Sequence, residues 1–455
     1  MSEPTCSQPV APRYAASVIF DLPGYDVLDA LDLPCGGRRV VVQAIDRDEG
    51  CPDCGVVSTR VHEWTRQRVK DIGAGGDGTP EGGRVEVVVR KPRMLCAEGS
   101  CGRRTFTPVT DQLPARARCL TRLRTAVLHA VVASGRAADE VASAFGVAWW
   151  TVQATVLAAV MTLPDVDDLP IRFLGIDEHR FRTVRWFRDP DTNTWKRVEP
   201  WMTTFVNLAT GQVIGIVDGR HCAAVTTWLN ARTHQWRDRV EVVAMDPSAT
   251  YRSVIGTALP SASISVDHWH LVRLANLMVT TVRQRVTRER LGRRGRATDG
   301  AWAHRMLLLR AGNTLTPRAW DRLDRVFTHD DPTDELGAAW GVKERLRMLL
   351  ACTDLEAAAT ARMRLGIAVL AADMPETTKL WNTINDWWNE IEVFVDTRIT
   401  NAKTEAANTS VKQIKRTGRG YRNHHHYQAR ILLANAHRHG RRSPLTQQVT
   451  PPNCE

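Results

Sequence analysis

The chain has 455 residues, of which 43% are hydrophobic, enough to build ordinary cores and to exclude wholesale disorder; its length predicts roughly two to four domains. Lys and Arg number 61 against 50 Asp and Glu, a net charge of +11, which points to a polyanionic partner without naming it. No apolar run approaches the ~20 residues that cross a bilayer, and no basic start with a following apolar stretch marks a signal peptide.

Residues 1–38 show no pattern to which a role attaches. Four of the ten cysteines then form two tight pairs, Cys51-Pro-Asp-Cys54 and Cys96-Ala-Glu-Gly-Ser-Cys101, each followed by Gly. With no export signal a reducing compartment is expected, so disulfides are not. Two thiolate pairs supply four soft ligands in a tetrahedron, the set that structural Zn2+ takes. The alternative is four unrelated buried thiols. Val-rich stretches at 39–45 and 84–90 read as strands, and 73–83 as a Gly-rich loop. Residues 39–112 are therefore expected to form a zinc ribbon. Cys6, Cys35, Cys119, Cys222, Cys352 and Cys454 lack ligand spacing, and His62 reads as a surface residue.

From residue 113 the pattern turns helical. Leu120, Leu123, Val127, Leu128 and Val131 recur at the helix period. A short helix from Ala137, a turn at Gly146 and a second helix from Ala148 have helix-turn-helix spacing, so 113–163 is expected to bind DNA. Thr151, Gln153 and Thr155 are its expected base or phosphate contacts, and Trp149 and Trp150 serve equally as packing. A plain helical hairpin is the alternative.

After an acidic, Pro-bounded linker, strands are expected at 171–178, 195–206, 212–217, 240–246 and 262–268, with helices at 223–232 and 251–258. Three sequential strands followed by alternation with helices imply a mixed α/β sheet. Three strands end in carboxylates, Asp177, Asp246 and Asp267, which converge at one rim of such a sheet. A carboxylate cluster is costly unless cations neutralise it, and Mg2+ with its oxygen ligands and phosphate partners suits it. Two such ions at ~3.5–4 Å serve phosphoryl transfer. Loop capping is the bland alternative for each Asp.

Residues 276–395 read as a helical insertion without catalytic chemistry. The charge surplus is concentrated at two places: between Trp269 and Thr298 eight Arg face one acid, and from Asn401 onward ten Lys and Arg face two. Arg273 and Arg283 on the first stretch are expected to track a phosphate backbone. In the C-terminal stretch Glu405, Asn408, Lys412 and Arg416 share one helix face, a carboxylate followed by groups suited to phosphates. Lys415, Arg419 and Arg422 extend the same basic run. An exposed basic helix is the alternative.

The segments Leu174-Gly-Ile-Asp177-Glu178, Met245-Asp246-Pro-Ser-Ala-Thr-Tyr251, Val266-Asp267-His268-Trp-His270 and Thr400-Asn-Ala-Lys-Thr-Glu405-Ala-Ala-Asn408 resemble those of bacterial insertion-sequence transposases of the ISL-three family. The resemblance implies an RNase H-like catalytic domain at 171–275 and 396–440, split by the insertion and followed by a tail at 441–455. It implies a catalytic triad of Asp177, Asp246 and Glu405 binding Mg2+ or Mn2+, with Asp267 and His268 as supporting residues and Asp267 the rival for the second carboxylate. It further implies double-stranded DNA as partner, a homodimer or larger assembly on it, and a cytoplasmic, nucleoid-associated location. Two rivals are a non-catalytic zinc regulator descended from a transposase and a metal-dependent nuclease acting on RNA or hybrid duplexes.

Overall fold

The structure is a computed structural model that describes residues 15–34, 36–45, 49–72 and 84–440. The expected loop at 73–83, the tail at 441–455, and Cys6, Cys35 and Cys454 lie outside the described residues. The chain divides into two compact units, one of residues up to Leu163 together with those from Gln413, the other Pro164–Lys412.

The first unit opens with α1 (Ala15–Phe20) and β1 (Tyr25–Asp32), followed by β2 (Arg38–Ala44), β3 (Glu49–Gly50), β4 (Val57–Ser58), β5 (Val61–Asp71), β6 (Val85–Leu95) and β7 (Thr105–Phe106). The main sheet runs β1-β2-β6-β5, with β7 paired to β6, and β3 and β4 form a separate ribbon. Alternation explains the core: Val40 and Val42 on β2 and Val87 and Val89 on β6 point inward and are buried together. β1 lies in the stretch from which the sequence yields no pattern. Only Tyr25 and Val27 of its eight residues are buried, too few for an alternation to register. β5 escapes for the same reason, carrying charged and polar residues along most of its length.

Helices α2 (Thr121–Val132), α3 (Ala138–Ala144) and α4 (Trp149–Val160) follow. Gly146, at φ +63°, makes the turn between α3 and α4. Leu123 and Val127 of α2, Val141 of α3, and Val152 and Val156 of α4 close one core.

The second unit contains β8 (Phe173–Arg180), β9 (Arg185–Arg188), β10 (Trp195–Val198), β11 (Trp201–Asn207), β12 (Gln212–Asp218), α5 (Cys222–Asn230), α6 (His234–Asp238), β13 (Val242–Met245), α7 (Ala249–Ala258) and β14 (Ser263–Val266). Its sheet has the order β12-β11-β8-β13-β14. β12, β11 and β8 are antiparallel, and β8, β13 and β14 parallel. The expected strand at 195–206 is in fact two: β10 leaves the sheet and pairs with β9 in an exposed hairpin. Eight helices come next, α8 (His268–Leu291), α9 (Gly300–Ala303), α10 (Arg305–Leu308), α11 (Pro317–Asp330), α12 (Glu335–Ala351), α13 (Leu355–Ala372), α14 (Pro375–Asp386) and α15 (Trp388–Thr397), before α16 (Ala402–Thr417). The helices and the sheet share one continuous apolar core. No single described helix is long and apolar enough to cross a membrane.

The last helix, α17 (His424–Arg438), departs from the expected grouping of 396–440 with the catalytic domain. It belongs to the first unit, where Ala429 and Leu433 enter the core of α2 and α4. Its buried Arg430 donates to the Gly135 carbonyl at 2.7 Å and to the Tyr421 hydroxyl at 2.8 Å.

Candidate active site

Register brings three carboxylates to one sheet edge. Met245 on β13 is the partner of Ile176 on β8 and of Val266 on β14, so the next residues, Asp177, Asp246 and Asp267, stand side by side across adjacent parallel strands. Asp177 does not end its strand, since β8 continues to Arg180 and Asp177 pairs with Thr204 of β11. Helix α16 delivers the fourth acid. It lies close against β8 because residue 175 is Gly: a Cβ there would stand 2.0 Å from Thr404 Oγ1 and 3.1 Å from Asn401 Oδ1. Asn401, fully buried, donates to the Ile176 carbonyl at 3.1 Å, and Glu405 follows in the first turn of the helix.

The carboxylates are held differently. Asp177 accepts from the Glu178 backbone N–H at 2.6 Å and from Asn408 Nδ2 at 2.6 Å. Burial nonetheless pushes its pKa up, against these bonds and the charge of Lys412. Asp246 is pushed up to about 7, chiefly by burial and then by the charges of Asp177, Asp267 and Glu405. Its Oδ1 is shielded from solvent and makes no hydrogen bond. His270 Nε2 stands 3.2 Å from that oxygen and 3.8 Å from Glu405 Oε1. Asp267 is the N-cap of α8 and accepts from the Trp269 N–H at 3.0 Å. Ligand atoms of Asp246, Asp267 and His270 lie within 4.8 Å of one another.

Acids that together raise the pKa of Asp246, around a carboxylate oxygen shielded from solvent and without a hydrogen bond, fit a divalent cation. Carboxylates with one imidazole suit Mg2+ or Mn2+. His270 is the residue that sequence reasoning passed over in favour of His268. Both open α8, but His268 stacks on Phe394 at 4.7 Å between ring centroids, while His270 is directed at the acids. The helical offset of three from Asp267 was the signal that would have found it.

Burial separates the other expected contacts. Asn408 is only 3% exposed and spends its amide on Asp177, while its carbonyl accepts from Thr204 Oγ1 at 3.3 Å, so it holds a carboxylate and does not face DNA. Gln153 and Thr155 are buried in the first unit, and the Thr155 hydroxyl donates to the Thr151 carbonyl. What α4 exposes is Trp150, with Trp149 edge-on to it at 5.0 Å; Thr151 is half-buried. Arg283 is buried too. Three of its neighbours are tied up in ion pairs: Arg285 with Glu335 and Glu376, Arg290 with Asp330, and Arg293 with Asp299. Arg288, Arg294 and Arg296 of the same stretch remain exposed. Arg273 is exposed, as are Lys412, Arg416, Arg419 and Arg422, with Lys415 half-buried.

In the first unit, Cys51 and Cys54 follow β3 and Cys96 and Cys101 separate β6 from β7. Cys51 and Cys101 Sγ are 4.0 Å apart and Cys54 and Cys96 Sγ 3.5 Å. These separations far exceed the ~2.05 Å of a disulfide, and the four sulfurs lie within 4.8 Å of one another, as ligands of a single tetrahedral ion would. Gly55, at φ +74°, lets its N–H turn back to the Cys51 carbonyl at 2.8 Å. His62 is exposed.

Residues 174–431 match the model of the DDE transposase family of the ISL-three type, described as Transposase. No curated protein matches the chain. Among solved structures the chain is similar to the Drosophila P element transposase strand transfer complex, at 7% identity and a TM-score of 0.37, over 71% of this chain and 93% of that one.

Proposed function

Because the chain belongs to the ISL-three family of DDE transposases, we propose that it binds the terminal inverted repeats of its own mobile element and catalyses Mg2+-dependent strand cleavage and strand transfer. The reading takes the sheet of the second unit with α16 as an RNase H-like core, and Asp177, Asp246 and Glu405 as the residues that hold the catalytic cations. The observation that carries it is the convergence of Asp177 and Asp246 at one sheet edge with Glu405 of α16, where His270 Nε2 lies 3.2 Å from Asp246 and 3.8 Å from Glu405.

A bound Mg2+ or Mn2+ would polarise the scissile phosphate and lower the pKa of the attacking oxygen. The remaining roles fall to the chain. Asn408 fixes the orientation of Asp177 through its 2.6 Å bond. His270 Nε2, between Asp246 and Glu405, is placed to carry a proton away. Lys412, exposed on α16, offers its ammonium to the backbone next to the reacting phosphate. In the first step a water oxygen bonds to phosphorus as the bond to the 3′-oxygen breaks, leaving a 3′-hydroxyl and a 5′-phosphate. In the second, that 3′-oxygen bonds to a target phosphorus and the target's own 3′-oxygen leaves. The first step hydrolyses one phosphodiester and the second exchanges one phosphodiester for another, so no external energy source is required. A four-cysteine set has no open position, and Zn2+ there would be structural. The zinc ribbon, the α2–α4 helix-turn-helix and the basic residues Lys415, Arg416, Arg419 and Arg422 serve end recognition. Two copies of the chain bring two element ends together on double-stranded DNA.

The test incubates purified protein with Mg2+ and a duplex bearing an element end. Cleavage to a 3′-hydroxyl and joining into a second duplex are expected, and Asp177→Asn is expected to abolish both while end binding persists. End binding without any cleavage by the unaltered protein would favour a regulator, and degradation of RNA–DNA hybrids without joining would favour a nuclease.

A further inference from the structure

Arg283 presents a physical problem that the carboxylate site does not explain. It lies on α8, is 5% exposed, and its Nη1 is sealed from solvent without a hydrogen bond. The neighbouring arginines 285, 290 and 293 all have carboxylate partners. The charge acting on Arg283 is instead that of Arg305, of the same sign. A guanidinium cannot escape by deprotonating, and an uncompensated buried charge costs several kcal/mol.

Beside it is a cavity of about 490 Å³, lined by Thr280, Arg283, Gln284, Arg294, Trp302 and Arg305 among others. That volume lies in the ~300–1,000 Å³ range of small-molecule sites and exceeds what a chloride fills. Arg305 is held in place from two sides, its guanidinium 3.8 Å from the Trp302 ring centroid and its Nη1 donating to the Trp302 carbonyl at 2.9 Å. Three guanidinium groups around one cavity, with an amide beside them, match the several oxygens of a tetrahedral dianion, because the planar fork binds phosphate two oxygens at a time.

We propose that this cavity in the helical insertion is a phosphate-binding site, with Arg283 as its buried anchor, and that it takes a phosphate group of a DNA strand. The phosphate-binding claim stands without the transposase reading; only the assignment of that phosphate to DNA rests on it. The site is built from α8, the segment that follows it, α9 and α10, and it contains none of the acids of the sheet edge.

The test uses the full chain. Thermal unfolding is followed with inorganic phosphate, with a deoxynucleoside 5′-monophosphate and with a short single-stranded oligonucleotide, for the unaltered protein, Arg283→Met and Arg305→Gln. Phosphate is expected to raise the unfolding temperature of the unaltered protein well beyond any general salt effect seen in the variants. Arg283→Met is expected to unfold at a higher temperature without phosphate, since it removes an unpaired buried charge, and to lose the phosphate response. Arg305→Gln, at a half-buried position, is expected to fold normally and weaken phosphate binding at least tenfold. An Arg283→Met protein that is less stable without phosphate and keeps the response would overturn the proposal, as would an Arg305→Gln protein with undiminished affinity. Oligonucleotide affinity that falls with Arg283→Met supports DNA as the source. Loss of phosphate or mononucleotide binding with unchanged oligonucleotide affinity overturns that assignment in favour of a free nucleotide. Strand cleavage by the Asp177 site is scored separately, so failure of either reading is visible on its own.

Discussion

Replacing Asp246 with Asn removes one acid from a crowded cluster while keeping its shape. In the metal-free protein the Asp246 carboxyl is moved from 3.8 to about 7 by burial and by the charges of Asp177, Asp267 and Glu405. At about 1.4 kcal/mol per pH unit that would amount to ~4 kcal/mol. The side chain is 36% exposed, so solvent screening reduces the effect to about 1–2 kcal/mol. The sign follows from linkage: the folded state binds this proton more tightly than the unfolded one, so the stabilisation is whole below about pH 4 and is lost as pH rises through about 7. In EDTA, the unaltered protein therefore loses stability between pH 5 and pH 8.5 relative to Asp246→Asn. At pH 8.5 the variant melts about 3–6 °C higher, for a domain of this size. Mg2+ or Mn2+ restores the unaltered protein and leaves the variant unchanged. Calorimetric scans in EDTA and in metal, at both pH values, measure each quantity. A variant less stable than the unaltered protein in EDTA at pH 8.5, or a difference that does not change with pH, would refute the reasoning.

Three more predictions concern the frame around the cluster. Asn408→Leu removes the amide that lowers the Asp177 pKa, so the acid limb of the pH–rate profile moves to higher pH; an unmoved limb with a lower rate would mean that Asn408 only fills space. Gly175→Ala forces a methyl to 2.0 Å from Thr404 Oγ1 and 2.7 Å from Leu208 and costs about 3 kcal/mol or more, with part recovered in Gly175→Ala/Thr404→Ala, measured by denaturant unfolding. Metal analysis of the purified chain gives one zinc per molecule, and Cys54→Ser together with Cys96→Ser gives none and exposes β6 and β7 to proteolysis.

The convergence of Asp177, Asp246 and Asp267 was legible because their apolar runs stop at an acid and because neighbouring parallel strands bring those acids to one edge, although Asp177 lies inside β8 and not at its end. The Cys pairs were legible from spacing alone. What the sequence concealed was concealed for identifiable reasons. β1 buries two side chains and β9–β10 none, so neither shows an alternation. Membership of α17 in the first unit depends on Ala429 and Leu433 meeting α2 and α4, a long-range contact with no local trace. Composition counts Arg283, Arg285, Arg290 and Arg293 as one basic surface, whereas packing turns one into a buried charge and three into ion pairs. The choice of His270 over His268 is a matter of helix phase: the offset of three from Asp267 carries it, provided that α8 starts at His268.

The central claim is that Asp177, Asp246 and Glu405 together hold the catalytic cation. Anomalous diffraction from crystals grown with Mn2+ tests it most directly. The account predicts a peak within ligand distance, ~2.0–2.6 Å, of carboxylate oxygens from all three residues. A peak held by Asp246, Asp267 and His270, with Asp177 and Glu405 beyond reach, would contradict it.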